Sequence, residues 1–343
     1  MRAVGMQLRG IVGTLRLGRV PARALAIADS RSLVRSLFLA SAARIDVLAF
    51  LRGGRPFSEI LQHLGCTRPE RLRAWLSIGV ELGELSLRRE RYGVRGYRSR
   101  AIADGDRLLG AHYRSMLEYQ IGPYGELENL LHSNTDEGRT DLERYAEDIA
   151  QVSLAAAPFV TSFVRRAVAE LSPTNVFDVG CGTGVYSKVV LEADSRVHVE
   201  GIDLAENVIA VARSEFRRSG LDDRIELHVG DVRQWARESQ THFDLLMLLN
   251  NIYYFDQKTR ARLYSEMGDL LTDRGQLLIV SMVATGSIAA AHLHFMLTCQ
   301  DTAASLPTHG EIENDLIEAG FRILTIQTLV PTEPFIGVRA VRG

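Results

Sequence analysis

At 343 residues the chain exceeds what one hydrophobic core usually serves, so two domains are expected. Hydrophobic residues make up 46% of it, yet no run of 18 apolar residues occurs; the most apolar early stretch, 33–51, is broken by Arg35, Arg44 and Asp46 and cannot span a bilayer. The net charge of −2 conceals an asymmetry: the first hundred residues hold 19 arginines, no lysine and seven acids, so +12 there stands against −14 in the rest.

That split raises the question of an anionic partner for the N-terminal part, against the plainer reading of a solvated or docked basic face. Cys66, Cys181 and Cys299 are odd in number and lack metal-ligand spacing. A disulfide framework and a metal site are therefore not expected, and a reducing cytoplasm fits.

In chain order, 1–29 reads as an arginine-rich arm without the compact apolar core and cleavage site of a secretory signal. A transit peptide is the alternative to an arm packed on a partner subunit. Residues 30–100 read as a small helical unit. A helix over 32–51 stops at Gly53-Gly54, a short helix covers 57–64, and Thr67 caps a helix containing Leu72, Trp75, Leu76 and Val80. Short strands at 85–87 and 92–94 flank the charged turn Arg88-Arg89-Glu90-Arg91. Helix, short helix, helix and hairpin make a winged helix, and Arg68, Arg71 and Arg73 keep DNA binding open.

Residues 101–171 read as a helical linker broken at Gly122-Pro123 and through 133–138, carrying His112, Tyr113, Tyr119 and Tyr124. Ser172-Pro173 opens the last domain, 172–343. Strands and helices then alternate, which argues an α/β sheet that is mostly parallel. Helices are expected at 187–193, 206–218, 257–271 and 311–319, the last with an N-cap signal at Thr308. Strands are expected at 225–229, 243–249, 276–280, 323–329 and 336–341.

The stretch that organises this domain is Val176-Phe177-Asp178-Val179-Gly180-Cys181-Gly182-Thr183-Gly184-Val185-Tyr186. A strand runs into three alternate glycines and then a helix, as a βα turn requires where backbone bends sharply and a ligand approaches closely. Nineteen positions after Gly184 a second apolar run ends in Asp203, whose carboxylate can accept two ribose hydroxyls. Dinucleotide folds use G-x-G-x-x-G. Here Asp178 lies inside a D-x-G-x-G-x-G pattern, and its carboxylate repels a pyrophosphate but suits an ammonium group.

This stretch resembles motif I of class I S-adenosylmethionine (SAM)-dependent methyltransferases, over roughly half the chain. The resemblance implies a Rossmann-like domain with a seven-stranded sheet and a closing antiparallel pair. It implies that Gly180, Gly182 and Gly184 wrap the methionine end with Asp178 nearby, and that Asp203 and Leu204 hold the ribose side. Asp231 and Val232 then meet the adenine, and Asn250 the sulfonium edge. The N-terminal part resembles the dimerisation domain of small-molecule methyltransferases, and linker helices of that family roof the acceptor pocket. The implied protein is a cytoplasmic homodimer of bacterial secondary metabolism that methylates a small molecule at C, N or O.

After the fourth strand come Asn250-Asn251-Ile252-Tyr253-Tyr254-Phe255, facing the methyl side. Asn251 and Tyr253 are candidates to bind the acceptor; the plainer reading has Tyr253, Tyr254 and Phe255 plug the mouth of the sheet. The two prolines of base-modifying relatives are absent, and Tyr253-Tyr254 stand where winged-helix O-methyltransferases carry His-Asp. A neutral tyrosine is a poor base at pH 7. His292 and His294 are the other candidates, with His294 a base or orienter; at i and i+2 on a helix they point about 200° apart and cannot share a metal ion. Two other classes stay open: a DNA-associated winged-helix protein, and a SAM-binding member of the fold that transfers no methyl group.

Overall fold

The computed structural model describes residues 19–132, 142–299 and 304–343. The arm over 1–18 and the break at 133–138 lie outside the described residues. By contacts the chain forms two compact units, Met1–Glu118 and Tyr119–Gly343.

In the first unit α1 (Val20–Arg44) is one long helix, so the last third of the expected arm is already helical. It does not run on to residue 51. Ile45 and Asp46 break it, Asp46 adopting a left-handed φ of 50°, and α2 (Val47–Phe50) restarts at a new angle. The break lets Leu39, Val47, Leu48 and Leu51 all enter one core. Then follow β1 (Arg55–Pro56), α3 (Phe57–His63) and α4 (Pro69–Glu81). Thr67 does not cap α4: Arg68 holds the cap position and Pro69, whose fixed φ suits a first turn, opens the helix. β2 (Leu85–Arg88) and β3 (Arg91–Val94) form a hairpin, with β1 on the other edge of β3. Arg89 and Glu90 take φ of 48° and 60°, the mirror-image turn that matches strand twist. α5 (Tyr97–Ala103) and α6 (Arg107–Ser115) complete the unit.

A buried charge holds this unit's centre. Glu84 is 3% exposed, 3.3 Å from Arg35 and 3.8 Å from Arg98, and its backbone carbonyl accepts from Ser99 Oγ at 2.7 Å. Other arginines are spent in pairs, Arg55 with Glu59 and Arg52 with Asp104.

The second unit begins with short helices α7 (Gly122–Gly125) and α8 (Leu127–His132), then α9 (Leu142–Ser153) and α10 (Ala157–Leu171). Among the described residues the run Asp148–Leu171 is the one long and apolar enough to cross a membrane. Its second half instead docks Val160, Phe163, Val164, Ala167 and Val168 into the domain core, the behaviour of a core helix.

The sheet follows: β4 (Asn175–Val179), α11 (Val185–Ala193), β5 (His198–Asp203), α12 (Glu206–Ser219), β6 (Ile225–Val229), α13 (Val232–Glu238) and β7 (Phe243–Leu249). Then come α14 (Gln257–Asp269), β8 (Leu271–Met282), α15 (Ile288–Thr298), α16 (His309–Glu318), β9 (Phe321–Thr328) and β10 (Phe335–Arg342). The order is β6-β5-β4-β7-β8-β10-β9, parallel except for β10, which runs antiparallel to both neighbours. Central strands are apolar on both faces because helices cover both, so Leu245 through Leu248 are each fully buried. β8 starts five residues earlier than its apolar pattern suggests, at Leu271; its pairing with β7 continues past Asp273-Arg274-Gly275 through a register shift.

The expected cap at Thr308 is present as a reciprocal box. Thr308 Oγ1 accepts from Glu311 N at 3.2 Å, and Glu311 Oε2 accepts from Thr308 N at 2.6 Å. Thr308→Ala should therefore destabilise the second unit by about 1 kcal/mol, read as a lowered urea midpoint at unchanged slope.

Candidate functional site

The carboxyl ends of β4, β5 and β7 meet at the point where strand order reverses, the usual ligand crevice of an open α/β sheet. β4 delivers the glycine loop. Gly180, Gly182 and Gly184 have φ of 64°, 54° and 78°, a backbone that L side chains rarely adopt. Packing adds a second demand at two of them. A Cβ on Gly180 would lie 2.5 Å from Asn251 Nδ2, and one on Gly184 2.5 Å from the Phe216 ring. Beside Gly182 a Cβ would meet no atom within 4 Å, so that edge of the loop is open to a ligand.

β5 delivers Asp203. Its Oδ2 accepts from Gly182 N at 2.9 Å and its Oδ1 from Ala205 N at 3.0 Å, so one carboxylate fixes the loop and the start of α12. Each oxygen keeps a lone pair that a ribose hydroxyl can use. Burial pushes its pKa up. Leu204, next along, is 68% exposed and offers an apolar face.

Asp178 is more deeply placed, at 2% exposure, and accepts from Ser187 Oγ at 2.5 Å. Burial raises its pKa to about 7; the Ser187 bond opposes that rise and the nearby Asp203 adds to it. The cost of ionising it is therefore available to favour a cation in the crevice.

β6 leads to Asp231, which caps α13 and is gripped by Arg233, Nη2 to Oδ2 at 2.6 Å. That hydrogen bond, working against burial, holds its carboxyl below the ordinary range. Val232 lies in the core with Phe177, Val179 and Ile202, leaving only its backbone toward the crevice.

β7 delivers the Asn250–Phe255 turn. Asn250 turns left-handed at φ 60°, and its amide N and O are buried without hydrogen-bond partners. Asn251 is 8% exposed, and its Nδ2 donates to the Val179 carbonyl, bracing the end of β4 against the end of β7. That use of the amide leaves Asn251 Oδ1 buried and without a hydrogen-bond partner. Tyr253 is 7% exposed, and its ring lies 4.8 Å from that of Tyr254. Burial drives both phenols above their ordinary pKa, with Tyr119 adding to each.

Tyr119 and Tyr124, from the expected linker, thus belong to the unit that holds the site, whereas His112 and Tyr113 belong to the first unit. His292 has both ring nitrogens engaged: Nδ1 with Tyr124 Oη at 2.8 Å and Nε2 with Gln120 Oε1 at 3.2 Å. Burial lowers its pKa. His294 points elsewhere on α15, with Nδ1 buried and unpartnered.

Two residues escaped the sequence reading. Tyr186, in the first turn of α11, was taken only as the start of a helix; its buried hydroxyl faces the Asn250 amide without a well-formed bond. Arg260, a charged residue of the helix expected over 257–271, is fully buried. Its Nη2 reaches the carbonyls of Phe255 at 3.4 Å and Ser305 at 3.5 Å, with Asp315 3.7 Å from Nη1. Ser305 N in turn donates to the Tyr253 carbonyl at 3.1 Å. Only the one-in-four apolar spacing of Arg260 with Leu263, Tyr264 and Met267 signalled that it faces inward.

Residues 176–275 match the family model described as a methyltransferase domain. Residues 176–275, within the second unit, thus carry a methyltransferase domain. SAM is the cofactor of this family. The chain is 23% identical over 168 residues to the tRNA1(Val) (adenine(37)-N6)-methyltransferase of Citrobacter koseri, covering 44% of this chain and 64% of that protein. It therefore spans less than two thirds of that relative's length. In fold it is similar to the mitomycin 7-O-methyltransferase, with TM-score 0.75 and 16% identity over 95% of this chain and 99% of that one. It is similar also to the N,N-8-amino-8-demethyl-D-riboflavin dimethyltransferase of Streptomyces davawensis, with TM-score 0.71 and 18% identity over 95% and 100%.

The residues of this methyltransferase domain fit the cofactor: an open glycine edge, a free ribose-type carboxylate and a set of orphaned polar atoms at the strand ends. Among the described residues no cluster of three metal-ligating side chains occurs. Because Asp178 titrates near 7, its ionised form favouring an ammonium ligand, S-adenosylhomocysteine should bind more tightly at pH 8 than at pH 6. The sign for stability is opposite: a carboxyl raised from 3.8 contributes less to folding as pH climbs from about 4 to 7. Calorimetry should show affinity falling toward about tenfold per pH unit below 7, and Asp178→Asn should flatten that slope.

Proposed function

We propose that the chain transfers a methyl group from SAM to a small-molecule acceptor, with Tyr253 positioning the acceptor and no protein base removing its proton. The observation that carries this reading is the chemistry at the end of β7: two buried phenols, Tyr253 and Tyr254, each driven further from ionisation by burial. When bound, SAM supplies an electrophilic methyl on a sulfonium. The chain's own work is then to hold the nucleophile in line, which needs geometry more than proton transfer. Asp203 holds the ribose hydroxyls, the glycine loop passes along the methionine end, and Leu204 and Asp231 flank the adenine. An amine, or a carbon or oxygen nucleophile that ionises readily, suits such a site. The O- and N-methyltransferases of similar fold are consistent with either atom.

The first unit, a winged-helix arrangement in this reading, serves to pair two copies. Leu25, Ile27, Leu33 and Val34 of α1 are 41–73% exposed, more apolar surface than one isolated helix face usually shows to water. Arg35, Arg52, Arg55 and Arg91 are paired within the unit or bond carbonyls, and Arg73 lies over the Phe57 ring. Light scattering at micromolar concentration should give twice the chain mass, and Leu33→Glu with Val34→Glu should return the monomer.

For the chemistry, methyl-labelled SAM incubated with the protein and metabolite extract should yield a labelled product. Tyr253→Phe should lower that turnover about 10–100-fold, with affinity for S-adenosylhomocysteine unchanged. If His294 is the base instead, Tyr253→Phe stays near wild type and His294→Ala loses activity. A protein that binds the cofactor but labels nothing would belong with the non-methylating members of the fold.

A further inference from the structure

A fully buried guanidinium is costly to keep charged, and an apolar side chain of similar volume often serves a core as well or better. Arg260 is such a group, near the start of α14. Its counter-ion is a poor fit: Asp315 of α16 stands 3.7 Å from Nη1. Arg260 Nε and Nη1, Tyr264 Oη and Asp315 Oδ2 are all buried without a hydrogen-bond partner. Pairing α14 with α16 does not explain the charge, since Gln257 Nε2 already bonds Glu311 Oε1 across the same two helices.

What the guanidinium does hold is backbone. Its Nη2 faces the carbonyls of Phe255 at 3.4 Å and Ser305 at 3.5 Å. Both distances are long for hydrogen bonds, but a buried cation attracts carbonyl dipoles strongly where the local dielectric is low. The two carbonyls belong to the segments that enclose Tyr253. Phe255 ends the Asn250–Phe255 turn, and Ser305 N donates to the Tyr253 carbonyl at 3.1 Å. Ala304 and Leu306, on either side of Ser305, share one apolar cluster with Tyr253. The far end of that segment is tied to the end of β8, where Ala284 N donates to the Pro307 carbonyl at 2.9 Å. Arg260 therefore closes a ring that runs from the Phe255 carbonyl through the guanidinium and Ser305 back to the Tyr253 carbonyl.

We propose that Arg260 is a positioning residue for methyl transfer, fixing Tyr253 from behind through the Phe255 and Ser305 carbonyls. This rests on the reading of Tyr253 as the residue that positions the acceptor. The plainer alternative is a group that only stabilises the packing of α14 on α16.

Initial rates of label transfer from methyl-labelled SAM into metabolite extract separate the two. The neutral pair Arg260→Met with Asp315→Asn leaves no lone buried ion, so it should fold, which thermal melting checks. It should transfer methyl roughly tenfold more slowly, as expected when a reacting group is held out of line. Its affinity for S-adenosylhomocysteine, by calorimetry, should match the wild type. Added to Tyr253→Phe, the neutral pair should slow transfer little further, because both changes act through one side chain. Arg260→Lys keeps the charge but not the planar fork, and its rate should fall between wild type and neutral pair. That variant carries the test alone should the neutral pair fail to fold, a wild-type rate then overturning the proposal. A wild-type rate in a folded neutral pair, or losses that multiply with that of Tyr253→Phe, would leave Arg260 a packing group and sink the proposal. Should Tyr253→Phe alone keep the wild-type rate, the reading of Tyr253 fails and the proposal falls with it, whatever the neutral pair does. No label from the unaltered protein would overturn both.

Discussion

The Asn251 side chain is the point on which the site depends. Its amide donates to the Val179 carbonyl at the end of β4 and packs so close to Gly180 that no side chain fits between them. Two adjacent parallel strands carry different chemistry, the glycine loop on β4 and the Tyr253 turn on β7. The β4–β7 ladder ends at Val179 and Leu248, and the bridge carries the connection one step beyond it. With it, the glycine loop and the turn after β7 are held in one register. In-line transfer tolerates little error in such a distance, which is why a bridge at this point matters.

Charge is arranged around the bridge with the same economy. Asp203 fixes the Gly182 amide and the first turn of α12 while keeping lone pairs free. Asp178 is buried to the point that its proton is held near neutrality, and Ser187 from α11 is its direct partner. A ligand cation entering the crevice then repays part of the cost of ionising Asp178. The opposite end of the sheet needs no such sensitivity. There Asp244 overcomes the effect of burial by accepting from Thr174 N, Thr174 Oγ1, Asn175 N and Thr272 Oγ1, and simply ties three strands together.

What could be read from the sequence was what local chemistry dictates. Glycines at alternate positions after an apolar run, acids at strand ends and β-branched runs of five to seven residues fixed β4 through β7 within a residue or two. Thr308 was legible because a capping box needs only two residues three apart. Elements set by tertiary packing were not. The α1 helix reads as continuous through Ile45, but Asp46 turns left-handed because the core must receive Val47 and Leu48 from a different direction. Arg260 reads as surface by its charge, whereas its aliphatic stem and buried head are decided by the carbonyls of two distant loops. Thr67 is a good cap by type, but Pro69 shifts the helix start by one residue.

Tyr186 shows why this boundary matters for function. In the sequence it is the first large residue after a glycine loop, and a tyrosine there reads as helix and core, as its ring in fact is. Its hydroxyl acquires a meaning only when β7 lies beside β4 and Asn250 turns left-handed to face it. Neither residue's pattern contains the other, separated as they are by more than sixty positions. A motif names the backbone that a cofactor needs. The side chains beside that backbone come from wherever the fold brings a second strand, here Asn250 and Asn251 at the end of β7.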